Sequence, residues 1–123
     1  MKGDGKTDNR SKGRLYEGLA EEYLGRRGYR ILERNFQRRG GEIDLVALEG
    51  GYLVFVEVKF RADSRKGEAL EAVGPRKRRR ICQAARRYCA EKGLPEDVPV
   101  RFDVVAVTGR DVRLVQDAFW MGE

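Results

Sequence analysis

Leu15, Leu19, Ala20, Tyr23 and Leu24 recur at helical spacing, so residues 14–27 are predicted to form a first helix, with Gly28 as its stop. Ahead of it, residues 1–12 hold no apolar side chain after Met1 and are rich in Gly, Lys and Asp. They are expected as a disordered basic tail in front of one domain over residues 13–123. Residues 29–36 alternate imperfectly, as a short strand, before an Arg-Arg-Gly-Gly turn at 38–41. Two stronger runs, 42–49 and 52–60, flank Gly50-Gly51, the signature of a two-residue hairpin. A polar loop over 61–67 leads to a short helix at about 68–73, which Gly74-Pro75 breaks. A long helix then runs to about residue 92, and strands over 101–107 and 112–116 close the chain around a turn at 108–111. These elements make an α/β domain with a mixed sheet of about five strands flanked by helices.

The hairpin carries a geometric consequence. With Gly50-Gly51 as the turn, Glu49 pairs with Tyr52, and every later pair of residue numbers sums to 101. Asp44 is thereby expected directly opposite Glu57, with Lys59 two residues on along the same face. The other face carries Ile43, Leu45 and Ala47 against Val54, Val56 and Val58, and is expected to be buried. Two facing carboxylates repel one another, and among Val, Leu and Phe their charge is worse tolerated still. Either Lys59 compensates them, or a divalent cation does, since Mg²⁺ is commonly held by one or two carboxylates with waters and phosphate oxygens. Glu42 falls on the same face, opposite Lys59, as a salt-bridge partner or a further ligand.

Composition narrows the chemistry. At 123 residues there is room for one core. The chain contains no histidine, which removes His-based triads and His-metal hydrolases, and its two cysteines cannot supply a structural zinc site. No stretch approaches the roughly 18 apolar residues of a membrane span. The first ten residues lack the apolar core of a signal peptide, so a reducing cytoplasm is the expected compartment.

Charge adds a partner. Residues 76–92 hold eight basic side chains and one acidic one, so the +6 of the chain is concentrated there. Laid out at about 100° per residue, Ile81, Ala84, Ala85, Tyr88 and Cys89 form a core face, and Arg76, Arg79, Arg80, Arg86 and Arg87 lie opposite. Lys77 and Arg78 fall in the apolar sector at the first turn, where a long side chain can reach along the sheet. Cys82 and Cys89, about two turns apart, are too distant for a disulfide and are assigned to the core. Such a basic surface points to a polyanion, foremost nucleic acid. Arg61, on the strand face of Lys59, and Lys77 are further candidates for phosphate contacts. Tyr16, Tyr23 and Tyr88 either stack on bases or belong to the core or its boundary, the role that their helical spacing favours. Asp103, alone in an apolar strand, is either a buried acid paired with an arginine or a support to the site. Phe119 and Trp120 either pack on the sheet or meet a second copy.

The run Gly-Glu-Ile-Asp-Leu at 41–45 followed by Phe-Val-Glu-Val-Lys at 55–59 resembles the acidic core of the PD-(D/E)xK, or restriction-endonuclease-like, nucleases. Further motifs extend the likeness: Glu17-x-x-Ala20-x-x-Tyr23-Leu24, Arg34-Asn35-Phe36, Ala72-Val73-Gly74-Pro75-Arg76-Lys77 and Arg101-Phe102-Asp103-Val104-Val105. Together they resemble the bacterial YraN family, itself similar to archaeal Holliday junction resolvases. The resemblance implies a restriction-endonuclease-like α/β fold and hydrolysis of DNA phosphodiesters, with branched or junction DNA as a candidate substrate. It assigns Asp44 and Glu57 to a Mg²⁺ or Mn²⁺ ion and Lys59 to the attacking water, with Glu17 as the helical glutamate completing the acidic cluster. Ile43 stands where the superfamily commonly has proline. DNA is favoured over RNA, and junction cleavage, needing two sites, implies a homodimer. A nucleic-acid-binding module of the same fold without turnover is the alternative, and an adaptor for an acidic protein a third.

Overall fold

The structure, a computed structural model, describes residues 4–60, 73–109 and 111–121, with residues 4–12 in backbone alone. In chain order the elements are α1 (Asp4–Arg26), β1 (Arg30–Arg38), β2 (Gly41–Glu49), β3 (Tyr52–Phe60), α2 (Pro75–Glu91), β4 (Val100–Thr108) and β5 (Asp111–Phe119). The strands form one mixed sheet in the order β1-β2-β3-β4-β5. Only β3 and β4 run parallel, joined by the crossover that contains α2. The predicted α/β architecture is therefore the observed one. The expected loop at 61–67 and helix at about 68–73 lie outside the described residues. Residues 4–12, expected as a tail, continue α1 in the structure. Leu15, expected on the apolar stripe, is exposed; once the stripe from Tyr16 to Leu24 anchors a helix, further turns need no new nucleus.

Among the described residues, each face of the sheet is buried under one helix. On one face Ile81, Cys82, Ala84, Ala85 and Tyr88 of α2 pack on Phe36, Ile43, Val46, Phe55, Phe102 and Phe119. On the other, Ala20 and Leu24 of α1 cover Leu45, Ala47, Val54, Val56, Val105 and Val107. This second core explains why β3 and β4 read as nearly unbroken apolar runs rather than alternating ones. Gly41 lets α2 approach: a Cβ there would collide with the carbonyl oxygen of Arg80.

The hairpin closes as predicted. Gly50 and Gly51 take φ of 59° and 86°, the paired left-handed conformation of a type I′ turn. Pairs from Glu49↔Tyr52 to Leu45↔Val56 keep the sum of 101. There the ladder stops. Beyond it β2 stays with β1 as far as Arg38↔Gly41, and β3 stays with β4 as far as Phe60↔Val107. The sheet forks between β2 and β3. Opposite Asp44, between the pairs Arg34↔Leu45 and Phe36↔Ile43, Asn35 kinks β1 with φ of 51°. The alternation of β2 breaks at the same point. Ile43, expected beside Leu45 and Ala47, packs on the α2 side instead, while Leu45 and Ala47 stay under α1.

Candidate functional site

Asp44 and Glu57 stand in the fork. Asp44 is not a direct cross-strand partner of Glu57, as the unbroken register predicted, but lies one step beyond the last pair. Its Oδ2 accepts the backbone N–H of Val58 at 2.7 Å, a donor for which the departing strand supplies no ladder pair. The side chain thus does locally what the ladder no longer does, and this fixes it against β3. Glu57, only 4% exposed, projects from β3 on the face of Phe55.

Two lysines converge on Glu57. Lys59, two residues along β3, places Nζ 3.8 Å from Oε2. Lys77, in the first turn of α2, places Nζ nearer, at 3.1 Å. Its reach towards the sheet, anticipated from the helical layout, ends on a carboxylate. Burial opposes the charge of Lys77, but attraction by Glu57, the hydrogen bond to it and the fields of Asp44 and Glu42 hold its pKa above the ordinary value. Glu42 pairs with Gln37 of β1 and acts here through its field, not as the expected partner of Lys59 in the ladder.

Glu17 approaches from α1, half-buried, on the helix turn that Tyr16 docks by stacking on Phe60 at 4.0 Å. Burial first, and then the charge of Glu57, push the Asp44 carboxyl up to about 7; the hydrogen bond with Glu57 and the charge of Glu17 add to this, and the Val58 N–H opposes it. A carboxyl so poised marks a place where negative charge is crowded and a cation is welcome. Among the described residues no three His, Cys, Asp or Glu side chains gather closely enough to ligate one ion. Glu17 acts on Asp44 through its charge and does not complete a ligand set as the side chains stand. The two acids that do meet suit Mg²⁺ or Mn²⁺, hard cations that take one or two carboxylates and fill their shell with water and phosphate oxygens.

The arginine face is where the pattern placed it. Arg76, Arg79, Arg80, Arg86 and Arg87 are all exposed along α2. Arg87 is tied to Glu91 at 3.2 Å, and Glu91 also binds Arg38 through two bonds of 2.8 and 2.7 Å. Arg61 lies outside the described residues.

One polar cluster was underestimated. Asp103 is fully buried and resolves as an acid paired with an arginine: Arg101 binds it through Nε at 3.0 Å and Nη2 at 2.9 Å. The Tyr29 hydroxyl donates to it at 2.6 Å and accepts from Arg101 and Gln116. Burial, then the bond to Asp103, push Tyr29 up to about 12. Arg101 also reaches Glu49 at 2.8 Å. The readable signal was the spacing of Arg101 and Asp103, which puts both on one strand face. Tyr29, Gln116 and Glu49 come from distant segments and left none.

A family model described as "Uncharacterised protein family UPF0102" matches residues 16–107. A UPF0102 protein of Lachnoclostridium phytofermentans is 49% identical over 108 residues, spanning 84% of this chain and 92% of its own length. One of Klebsiella pneumoniae is 40% identical over 112 residues, spanning 90% and 88%. One of Geobacter sulfurreducens is 48% identical over 106 residues, spanning 86% and 82%. The chain belongs to the UPF0102 family, the same family that its motifs resembled under the name YraN.

Proposed function

We propose that this UPF0102 protein is a metal-dependent endonuclease of restriction-endonuclease-like fold that hydrolyses DNA phosphodiesters, with branched or junction DNA as substrate. The observation that carries this is the fork: Asp44 and Glu57 meet at the end of a ladder, with Lys59 and Lys77 on Glu57 and an arginine-lined helix leading away. Mg²⁺ or Mn²⁺, when bound, supplies a Lewis acid for the phosphoryl oxygen and a more acidic water. Asp44 and Glu57 hold it. Lys59 and Lys77 hold positive charge beside the developing negative charge of the phosphoryl group. Glu17 keeps the local charge negative enough to favour a cation. Arg76, Arg79 and Arg80 neutralise phosphates flanking the bond.

The test is incubation of the protein with branched, single-stranded and duplex DNA plus Mg²⁺ or Mn²⁺, beside the Asp44→Ala and Lys59→Ala variants. Cleavage by the native chain alone is expected. Cleavage that survives both substitutions would sink the assignment of the site. A second reading, a binding module without turnover, is favoured by the two lysines already seated on Glu57. It would be sustained by salt-sensitive binding with no cleavage of any substrate.

A further inference from the structure

At the end of α2 remote from Lys77 lies a cavity of about 720 Å³ that the proposed cleavage site does not use. Much of its wall is apolar, with Leu94, Pro95, Val98, Phe119 and Trp120. Trp120 is 67% exposed, an unusual position for the one tryptophan of the chain. The backbone that carries it is anchored. Asp117 takes φ of 56° at a bulge of β5, and its N–H donates to the buried Asp103 at 2.9 Å. Phe119 beyond the bulge stacks on Phe102 at 4.9 Å, and the Trp120 carbonyl accepts from Cys82. The buried network around Asp103 therefore fixes the approach of the last aromatic pair to α2.

The charges around the cavity are sorted. Arg86 stands on its wall and on the exposed face of α2, which leads back through Arg79 and Arg76 to the turn of Lys77. Glu96 and Asp117 also line it, as acceptors that would repel a phosphate but welcome amino groups. An occupant with a flat, uncharged, donor-bearing ring and an anionic backbone satisfies all of these features. Along the helix axis Arg86 is about 13–14 Å from Lys77, a span of a few nucleotides of a single strand.

We infer that this cavity takes an unpaired nucleobase, stacked on Trp120, of a DNA strand whose phosphates follow the arginine face of α2. The inference rests on the proposed action on DNA and narrows it: the substrate class is one with a single-stranded segment a few nucleotides from the scissile bond. A uniform duplex keeps its bases stacked and cannot offer one without an unstacking penalty. Stacking on an aromatic ring is tolerant of sequence, so selection by structure rather than by sequence follows.

Trp120 provides its own assay, since no other tryptophan contributes fluorescence. The full chain, without divalent ions, is titrated with a single-stranded twelve-nucleotide oligomer, the same oligomer made abasic, and a duplex. Saturable quenching by the base-bearing strand alone is expected, with binding followed independently by anisotropy of labelled DNA. Trp120→Ala should weaken single-strand binding about five- to a hundredfold, leave duplex affinity within about twofold, and be largely rescued by Trp120→Phe. Binding without quenching, equal quenching by duplex, or unchanged affinity of Trp120→Ala would each overturn the cavity's role while leaving the proposed nuclease standing. Unchanged DNA affinity with loss of a dimer in sedimentation would assign the cavity to a second copy of the chain and overturn it likewise. Quenching with no cleavage of any DNA once Mg²⁺ is added would uphold the base site and sink the enzyme.

Discussion

Replacing Asp44 by Asn should stabilise the protein, by an amount that grows with pH. The native carboxyl is pushed from its ordinary 3.8 to about 7. Between those values the unfolded chain has released a proton that the folded Asp44 carboxyl still holds. Stability therefore falls as pH rises across that interval, and is flat below and above it. At about 1.36 kcal/mol per unit, the loss is on the order of 2 kcal/mol by pH 5 and about 4 kcal/mol by pH 8. Asn keeps an oxygen for the Val58 N–H and offers an N–H to Glu57, while removing the charge that burial and repulsion disfavour. Urea unfolding of both proteins at pH 5 and pH 8 checks this: the variant should gain about 2–3 kcal/mol on the native chain between the two, with the slope in urea unchanged. Saturating Mg²⁺ at pH 8 should stabilise the native chain, by about 2.7 kcal/mol at a hundred times its Kd, and the variant much less. A difference between the two proteins that does not change with pH, or a variant less stable at pH 8, would refute the reasoning.

The remaining expectations follow from the same structure. Arg101→Met leaves Asp103 and Glu49 without their cation, one of them fully buried, and should lower stability by about 3–5 kcal/mol in urea or thermal unfolding. Tyr29→Phe removes one hydroxyl from the same cluster and should lower it by about 1–3 kcal/mol. Arg79→Ala and Arg80→Ala should each reduce the slope of log affinity for DNA against log salt by about one, measured by anisotropy. A flat salt response of the native chain would remove the nucleic-acid reading.

What the residues determined by themselves was whatever depends on short-range periodicity. The Gly50-Gly51 turn sets a register that counting can follow, and it holds down to Leu45↔Val56. The 3.6-residue pattern of α2 separates its core side from its arginine side with no knowledge of the sheet, and Arg76, Arg79 and Arg80 are exposed as that pattern requires. The absence of histidine left carboxylates and lysines as the available chemistry, and the fork gathers those residues.

The fork itself was not readable. Counting assumes that a ladder continues, but β2 must serve β1 and β3 at once, and the kink at Asn35 takes it away from β3 just at Asp44. That is a competition between two neighbours of one strand, settled by packing under α2, which draws Ile43 across to its own side. Distances between helices are equally invisible along the chain. Lys77 on Glu57 and Glu17 near Asp44 depend on how α2 and α1 lie on opposite faces. The cluster of Tyr29, Asp103 and Gln116 joins residues as far as 87 positions apart. Local pattern decided which side chains each element offers, and tertiary packing decided which of them meet, because burial on two faces is satisfied only by the whole sheet together.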